Sequence, residues 1–308
     1  MERKISLSDL SQAIDEAYEL VKSVKEGEID PRNIGADCKH MGISVVLADG
    51  TTINKGDTDV KVPMGAIVRV PLASVMFSQN SRDDMIKMSG QCPCHKMPHK
   101  PAHLPISAHT IRAFSAMEPK GDPESKWNLY ENRMTDLIGT SPELNMQIYE
   151  ILKKQVEDNT INRLADNGYF LYDEASLSVE LAIKAEAMSA STAQLATMGA
   201  TIAADGVNPT TRKTVFDGEI AKYIVALMAA KGPHKMNSPW LVATGLPAKA
   251  SFGGTILGIY PGVMAIAAYG AELNQSRVSI KAAHAIRYIM EKLDMSVFSS
   301  SRVSIVKD

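Results

Sequence analysis

The pattern of apolar and polar positions predicts a helix near the start of the chain. Between residues 7 and 26 apolar side chains recur at helical spacing, and Ser6 or Ser8 stands where an N-cap is expected. Residues 42–48 form a short apolar run that predicts a strand. Asp49 and Gly50 follow it, which is a strong signal for a hairpin turn. Residues 51–55 are then the returning strand.

The middle of the chain predicts helices and one long loop. Residues 65–77 read as a buried helix in which the ring of Pro71 should kink or end the first turn. Residues 91–105 contain several prolines and predict a loop. Residues 141–231 predict a largely helical block, in which Ser189 or Ser191 caps one helix.

The C-terminal part changes to apolar runs bounded by glycine and proline, which are typical of strands. Strands from both chain ends around a helical block favour an α+β sandwich whose ends share one antiparallel sheet. We predict a single domain over residues 1–308, with a sheet subdomain at about 1–65 and 235–308 and a helical subdomain at about 66–234. The predicted C-terminal elements are strands at 240–244, 254–260 and 263–269 and a helix at 277–293.

Composition excludes several classes of protein. Lys plus Arg number 33 and Asp plus Glu 35, so a net charge of −2 gives no argument for nucleic acid. No apolar run reaches the length of a membrane span, and the first residues do not resemble a signal peptide. Three cysteines, an odd number, suit a reducing compartment better than a disulfide framework. We expect a cytoplasmic protein without membrane contact.

The most informative motif is Gly-Leu-Pro-Ala-Lys at residues 245–249, with Gly253 and Gly254 after it. Together with the turn at residues 49–50 and the segment 195–206, it resembles the serine-dependent glutaminases over most of residues 7–295. The resemblance implies a β-lactamase-like (DD-peptidase-like) α+β fold. It further implies a small amino-acid-like ligand, no cofactor, and a homo-oligomer, either dimer or tetramer.

The family's reaction needs a Ser-x-x-Lys pair at a helix start, which by resemblance falls at Ala66 and Arg69. Ala66 offers no nucleophile, and Arg69 cannot act as a base because arginine stays protonated at neutral pH. The family's tyrosine falls near Ala182. From these positions we expect that the serine mechanism is absent.

Further site residues follow from the same resemblance. Lys249 corresponds to a lysine beside the substrate, and we rank it as a catalytic candidate. The backbone N–H at Phe252 completes the family's oxyanion hole, and a cationic pocket favours a carboxylate-bearing ligand. The predicted substrate-binding residues are Ala66, Arg69, Ser107, Glu150, His234, Ser251 and Phe252.

Residues 91–103 concentrate thiol and imidazole groups in a proline-rich loop that borders the substrate pocket in the family. Three interpretations stay open. The Cys92–His103 loop binds a transition metal, whose identity is unknown. Alternatively Cys92 or Cys94, activated by His95 or His99, is a replacement nucleophile. The third interpretation is an ordinary surface loop.

Three functional hypotheses follow. The first is a divergent, repurposed enzyme, an amide hydrolase or transferase acting on a glutamine-like amide or another amino-acid derivative. The second is a non-catalytic protein that binds a ligand or a partner. The third, ranked last, is a conventional glutaminase. If either of the first two hypotheses holds, we expect no ammonia release from free glutamine at an ordinary enzymatic rate. On all three we expect Ala66 at the start of a buried helix that faces the strand of Lys249.

Overall fold

A computed structural model describes residues 2–90, 106–156, 160–233 and 236–308. The strands in these ranges are β1 Glu2–Ser6, β2 Glu28–Ile29, β3 Met41–Leu47, β4 Thr52–Gly56, β5 Lys61–Pro63, β6 Glu143–Leu144, β7 Met188–Ser191, β8 Ala248–Ala250, β9 Thr255–Tyr260, β10 Met264–Gly270, β11 Glu272–Leu273 and β12 Arg302–Val306. The helices are α1 Leu7–Val21, α2 Arg69–Gln79, α3 Arg82–Gly90, α4 Ala108–Ala116, α5 Pro123–Ile138, α6 Met146–Gln155, α7 Thr160–Asp166, α8 Ala175–Glu186, α9 Thr192–Ala203, α10 Gly218–Lys231, α11 Asn237–Thr244 and α12 Ile280–Lys292.

An antiparallel sheet of five strands, in the order β4-β3-β10-β9-β8, forms the centre of the fold. Strands β3 and β4 come from the N-terminal part and the other three from the C-terminal part, so the two ends of the chain share one sheet as predicted. Val45 of β3 pairs with Ile266 of β10, which fixes the register between the two parts. The predicted hairpin turn at Asp49 and Gly50 joins β3 to β4.

Strands β3, β8, β9 and β10 of this sheet are buried on both faces, so the side chains that alternate along them enter two separate cores. Ala265 and Leu257 face the helical block, which packs its helix α9 against the sheet. Ile266 and Ile256 face the opposite side, where α1 and α12 cover the sheet. Strands that are apolar on both faces read as continuous apolar runs, as β9 and β10 do in the sequence.

Helix α2 begins with a separate 3₁₀ turn over Gly65–Val68. Gly65 has a φ of +46°, a left-handed backbone conformation that favours glycine. Pro71 is the third residue of α2, where its missing N–H would have no intrahelical partner in the first turn. The expected interruption of the first turn is therefore found as the change from 3₁₀ to α-helix.

One predicted strand is wrong. Residues 240–244 belong to α11, in which the Thr244 hydroxyl donates to the carbonyl of Trp240 at 2.8 Å. Gly245 ends this helix with a φ of +59°. A short apolar run does not distinguish a buried strand from a short helix by periodicity alone. The strand of this region is β8, which starts at Ala248 and carries Lys249.

The chain termini add a pair of strands that the sequence did not predict. β1 and β12 pair in parallel, and Ile5 lies opposite Ile305. Among the described residues no helix has the length and apolar character needed to cross a membrane.

Candidate functional site

The start of helix α2 lies directly against the end of strand β8. A Cβ atom built on Gly65 would be 2.7 Å from the ring of Phe252 and 3.0 Å from the hydroxyl oxygen of Ser251. The Ser251 hydroxyl donates to the carbonyl of Pro63 at 2.6 Å, which ties the strand end to the segment before the helix. Ala66 therefore sits at the beginning of a buried helix facing the strand of Lys249, as the sequence predicted.

Arg69 and Lys249 line one cavity of about 310 Å³, together with His109 of α4 and Lys231 of α10. The Lys249 side chain is nearly buried, with 8% of the residue exposed. Its Nζ donates to the carbonyl of Lys231 at 2.9 Å. The cavity thus brings together two residues that the sequence predicted, Arg69 and Lys249, and two that it did not assign to the site.

Burial and repulsion from neighbouring cations lower the pKa values of two side chains that line this cavity. Burial, and then the charges of Arg69 and Lys231, hold the pKa of Lys249 well below its usual value of 10.5. Burial followed by the same cations lowers the pKa of His109 to about 3, so its imidazole is neutral at pH 7. The neutral amine of Lys249 is therefore accessible at a lower pH than for an exposed lysine.

Glu186 is a buried carboxylate whose charge acts on Arg69, the first residue of α2. It ends helix α8, is 4% exposed, and its Oε1 accepts bonds from the backbone N–H of Ser107 at 3.0 Å and from the Thr110 hydroxyl at 2.8 Å. Its negative charge acts on Arg69, partly offsetting the lowering of the Arg69 pKa by burial. Glu186 thus fixes the backbone of Ser107 at the start of α4.

Sequence reasoning missed Glu186 as part of the site, although a signal existed. It lies four residues after Ala182 in an apolar helical run, which places both on one face of α8. An acidic residue on the buried face of a helix is uncommon and points to a specific partner.

Of the predicted substrate-binding residues in the described ranges, Arg69 lines the cavity, whereas Ala66, Ser107, Ser251, Phe252 and Glu150 do not. Ser251 and Phe252 lie beside Gly65 at the start of α2. Glu150 is placed away from this region. Ile148 and Leu152 of α6 face the core, whereas Glu150 is exposed to solvent. The family resemblance places Glu150 only approximately. Because Ile148 and Leu152 form the buried face of α6, the side chain of Glu150 lies on the solvent side of this helix. We correct the assignment of Glu150 on that ground.

Several predicted residues lie outside the described ranges. These are Cys92, Cys94 and His95 of the proposed metal or nucleophile loop, and His234. Within the described ranges no group of three or more His, Cys, Asp or Glu side chains is arranged to hold a metal ion.

Solved structures with the same architecture define the class of fold. A probable glutaminase, ybaS, superposes with a TM-score of 0.83 at 24% identity, covering 96% of this chain and all of the other. A probable glutaminase from Bacillus subtilis, complexed with 6-diazo-5-oxo-L-norleucine, superposes with a TM-score of 0.80 at 21% identity, covering 94% of this chain and 96% of the other. The fold is the β-lactamase-like α+β fold, as the sequence predicted.

Sequence similarity defines the family. The sequence model of the family described as Glutaminase matches residues 31–298. A glutaminase of Bacteroides fragilis is 32% identical, covering 99% of this chain and 100% of the relative. A glutaminase of Bacteroides thetaiotaomicron is also 32% identical with the same coverage. The chain belongs to the glutaminase family, and the family is one of amide hydrolases.

This membership corrects the functional ranking made from the sequence. Full-length identity of 32% to proteins named glutaminase contradicts the interpretation as a repurposed enzyme or a non-catalytic binding protein, and it favours the hypothesis that was ranked last. The ranking failed because it gave a few positions at one helix start more weight than the similarity of the whole chain.

Proposed function

We propose that this protein is a glutaminase, which hydrolyses the side-chain amide of L-glutamine to L-glutamate and ammonia in the cavity between Arg69 and Lys249. The observation that carries the proposal is the similarity to glutaminases over 99% of the chain. The position of a buried lysine with a lowered pKa beside the start of α2 agrees with it.

The cavity suits a ligand with a carboxylate. Arg69 contributes a guanidinium group, which binds carboxylates through two parallel hydrogen bonds. Among solved structures of similar fold, one is of Mglu in its glutamate form, with a TM-score of 0.82 at 19% identity. We assign the substrate carboxylate to Arg69 and the side-chain amide to the region between Lys249 and the start of α2.

The proposed nucleophile is water. Ala66 has no hydroxyl, Arg69 stays protonated, and the buried Ser251 hydroxyl is bonded to Pro63. In the proposed step the oxygen of water bonds to the amide carbon while the neutral amine of Lys249 accepts a proton from the water. Backbone N–H groups at Ala66 and Phe252 stabilise the oxyanion that forms. The carbon–nitrogen bond then breaks, and the proton passes from Lys249 to the departing ammonia.

The test is ammonia release from L-glutamine by the purified protein, followed with a coupled assay. We expect measurable turnover that falls at least about 100-fold in Lys249→Met, since loss of a general base typically has an effect of this size. Lys222→Met is the matched control, because Lys222 is exposed on α10 and lines neither cavity. Absence of ammonia above the buffer level would overturn the proposed function. Full activity of Lys249→Met would overturn the role of Lys249 alone.

Three further expectations remain part of the proposal. They are a cytoplasmic location, assembly as a homo-oligomer, and a role for the Cys92–His103 loop, either as a metal site or, as an alternative to water, as the source of the nucleophile. Light scattering measures the assembly, and elemental analysis together with alkylation of Cys92 and Cys94 measures the state of the loop.

A further inference from the structure

A second, larger cavity of about 600 Å³ lies between helices α2, α3, α4 and α10. Its wall is mainly apolar, with side chains that include Leu72, Met76, Phe77, Met85 and Ile86. The cavity is open to solvent beside Ile86, which is 58% exposed. A cavity of this size falls in the range of binding sites for small molecules, about 300–1,000 Å³.

This larger cavity adjoins the one that holds Lys249. Arg69, Ala73, His109, Leu227 and Lys231 line both of them, so the two share a wall. A ligand with a polar group at this wall and an apolar chain would place the chain in the larger cavity. L-glutamine has no such chain, and the proposed function therefore leaves the larger cavity unused.

The charges around the larger cavity have one sign. Among the described residues that line it, Arg69, Arg82, Arg112 and Lys231 are basic and none is acidic. His109 adds no charge at pH 7, since a pKa of about 3 leaves its imidazole neutral. Low-dielectric walls that carry positive charge attract anionic ligands and disfavour cationic ones.

Arg69 is the best-placed of these cations to receive an anionic group. Its Nε donates to the carbonyl of Ala66 at 3.3 Å. Burial lowers its pKa, and the charge of Glu186 offsets that only in part. A carboxylate at the shared wall would compensate the burial of this guanidinium through charge-assisted hydrogen bonds.

We propose that the larger cavity binds a fatty acid of medium or long chain, with its carboxylate at Arg69 and Lys231 and its alkyl chain against Met76, Met85 and Ile86. The apolar wall accounts for the chain, and the uniformly basic lining accounts for the carboxylate. Because Arg69 is also the proposed partner of the substrate carboxylate, a bound fatty acid excludes glutamine. Fatty-acid binding itself does not depend on the proposed function.

The test compares amphiphiles of matched chain length by calorimetry, each below its micellar concentration. Dodecanoate is expected to bind one molecule per chain, and dodecanol and dodecyltrimethylammonium at least about tenfold more weakly, because they lack the charge-assisted bond. Octanoate should bind at least about tenfold more weakly than dodecanoate, because it buries less apolar surface. Equal affinities for dodecanoate, dodecanol and the cation, or no saturable binding, would overturn the proposal.

Two variants locate the site. Ala226 is exposed on α10 and lines the larger cavity, so Ala226→Trp should fill it and weaken dodecanoate binding at least about tenfold. Lys222→Trp on the same helix is the matched control and should bind normally. Arg69→Gln should reduce the preference for dodecanoate over dodecanol. Normal dodecanoate binding by Ala226→Trp, with its fold verified by circular dichroism, would place the ligand elsewhere and overturn the assignment.

A kinetic measurement separates this inference from the proposed function. If the protein releases ammonia from glutamine, dodecanoate should raise KM and leave kcat unchanged. If it releases none, the proposed function fails while the calorimetric comparison still decides the fatty-acid site. If ammonia is released but dodecanoate does not compete, the placement of the carboxylate at Arg69 is wrong.

Discussion

Lys249 and His109 line the same cavity, and folding lowers the pKa of both. For each, burial is the largest cause and the charge of Arg69 is the second. Each group is a base whose protonated form is disfavoured in the folded state. The unfolded chain therefore binds more protons than the folded chain between the folded and unfolded pKa values, and stability rises with pH across that interval.

Lys249 is expected to lower the stability of the protein at neutral pH. Below a pH of about 10.4, the pKa of an unfolded lysine, protonation of the amine stabilises the unfolded state. In the folded state burial disfavours this protonation. Lys249→Met should therefore raise the free energy of unfolding at pH 7, by about 0.5–2 kcal/mol. The difference in the free energy of unfolding between variant and parent should shrink as the pH approaches the pKa of free lysine. Urea titrations at pH 7 and pH 10 measure it, and a destabilised variant at pH 7 would contradict the expectation.

His109 is expected to contribute to loss of stability in acid. As pH falls from about 6.5, the pKa of an unfolded histidine, to the folded pKa of about 3, the unfolded state takes up a proton that the folded state does not. His109→Gln should flatten the dependence of the free energy of unfolding on pH in this interval. His284→Gln is the control, since His284 is exposed on α12. Identical slopes for the parent and His109→Gln would show that folding does not change the pKa of His109 and would contradict the expectation.

At the scale of elements, helix α9 connects the helical block to the central sheet. Ser191 caps it with a bond from the backbone N–H of Gln194, whose side chain bonds back to the N–H of Ser191. Gly199 lies where the helix crosses the sheet, and a Cβ built there would be 2.6 Å from the Cβ of Ala265. The close approach of helix and strands therefore depends on a residue without a side chain.

Gly199→Ala tests this close approach. In an exposed helix the change would stabilise by about 1 kcal/mol. Here overpacking against Ala265 and Leu257 should instead destabilise the protein by about 1–3 kcal/mol. Thr197→Ala, a half-buried position on the same helix, is the control and should have a smaller effect. A stabilised Gly199→Ala, measured by urea unfolding, would show that the helix lies farther from the sheet.

At the scale of the whole molecule, two cores meet at the central sheet. The sequence contains two tryptophans, and the structure places one in each core. Trp127 of α5 lies in the helical core, and Trp240 of α11 lies in the core formed with α1 and α12. Because the same strands form a wall of both cores, neither core is complete without the sheet.

The two cores are therefore expected to unfold together. Trp127→Phe and Trp240→Phe each leave one fluorescent reporter, and the two variants should show urea transitions that coincide with their own circular dichroism signals. A fluorescence transition at lower urea than the loss of secondary structure, in either variant, would indicate two subdomains that unfold separately. This experiment tests the single-domain prediction for residues 1–308.

The sequence by itself determined the elements whose signals are local. The periodicity of residues 7–26, the turn at Asp49 and Gly50, and the serine cap of α9 each lie within a few residues of the structure they specify. The motif at residues 245–249 also indicated the family, and thereby the pairing of strands from both ends of the chain. These features are set by backbone preference, capping and apolar spacing, which a single segment carries on its own.

Only the tertiary structure decided the composition of the site. His109 and Lys231 join Lys249 because α4, α10 and β8 pack around one cavity, and nothing in their own segments indicates this. The same packing turns Glu150 to solvent and Glu186 inward, and it assigns residues 240–244 to a helix. The charges and the burial that shift each pKa come from residues distant in sequence. Such effects depend on distance in space, and sequence spacing does not fix that distance until the chain is folded.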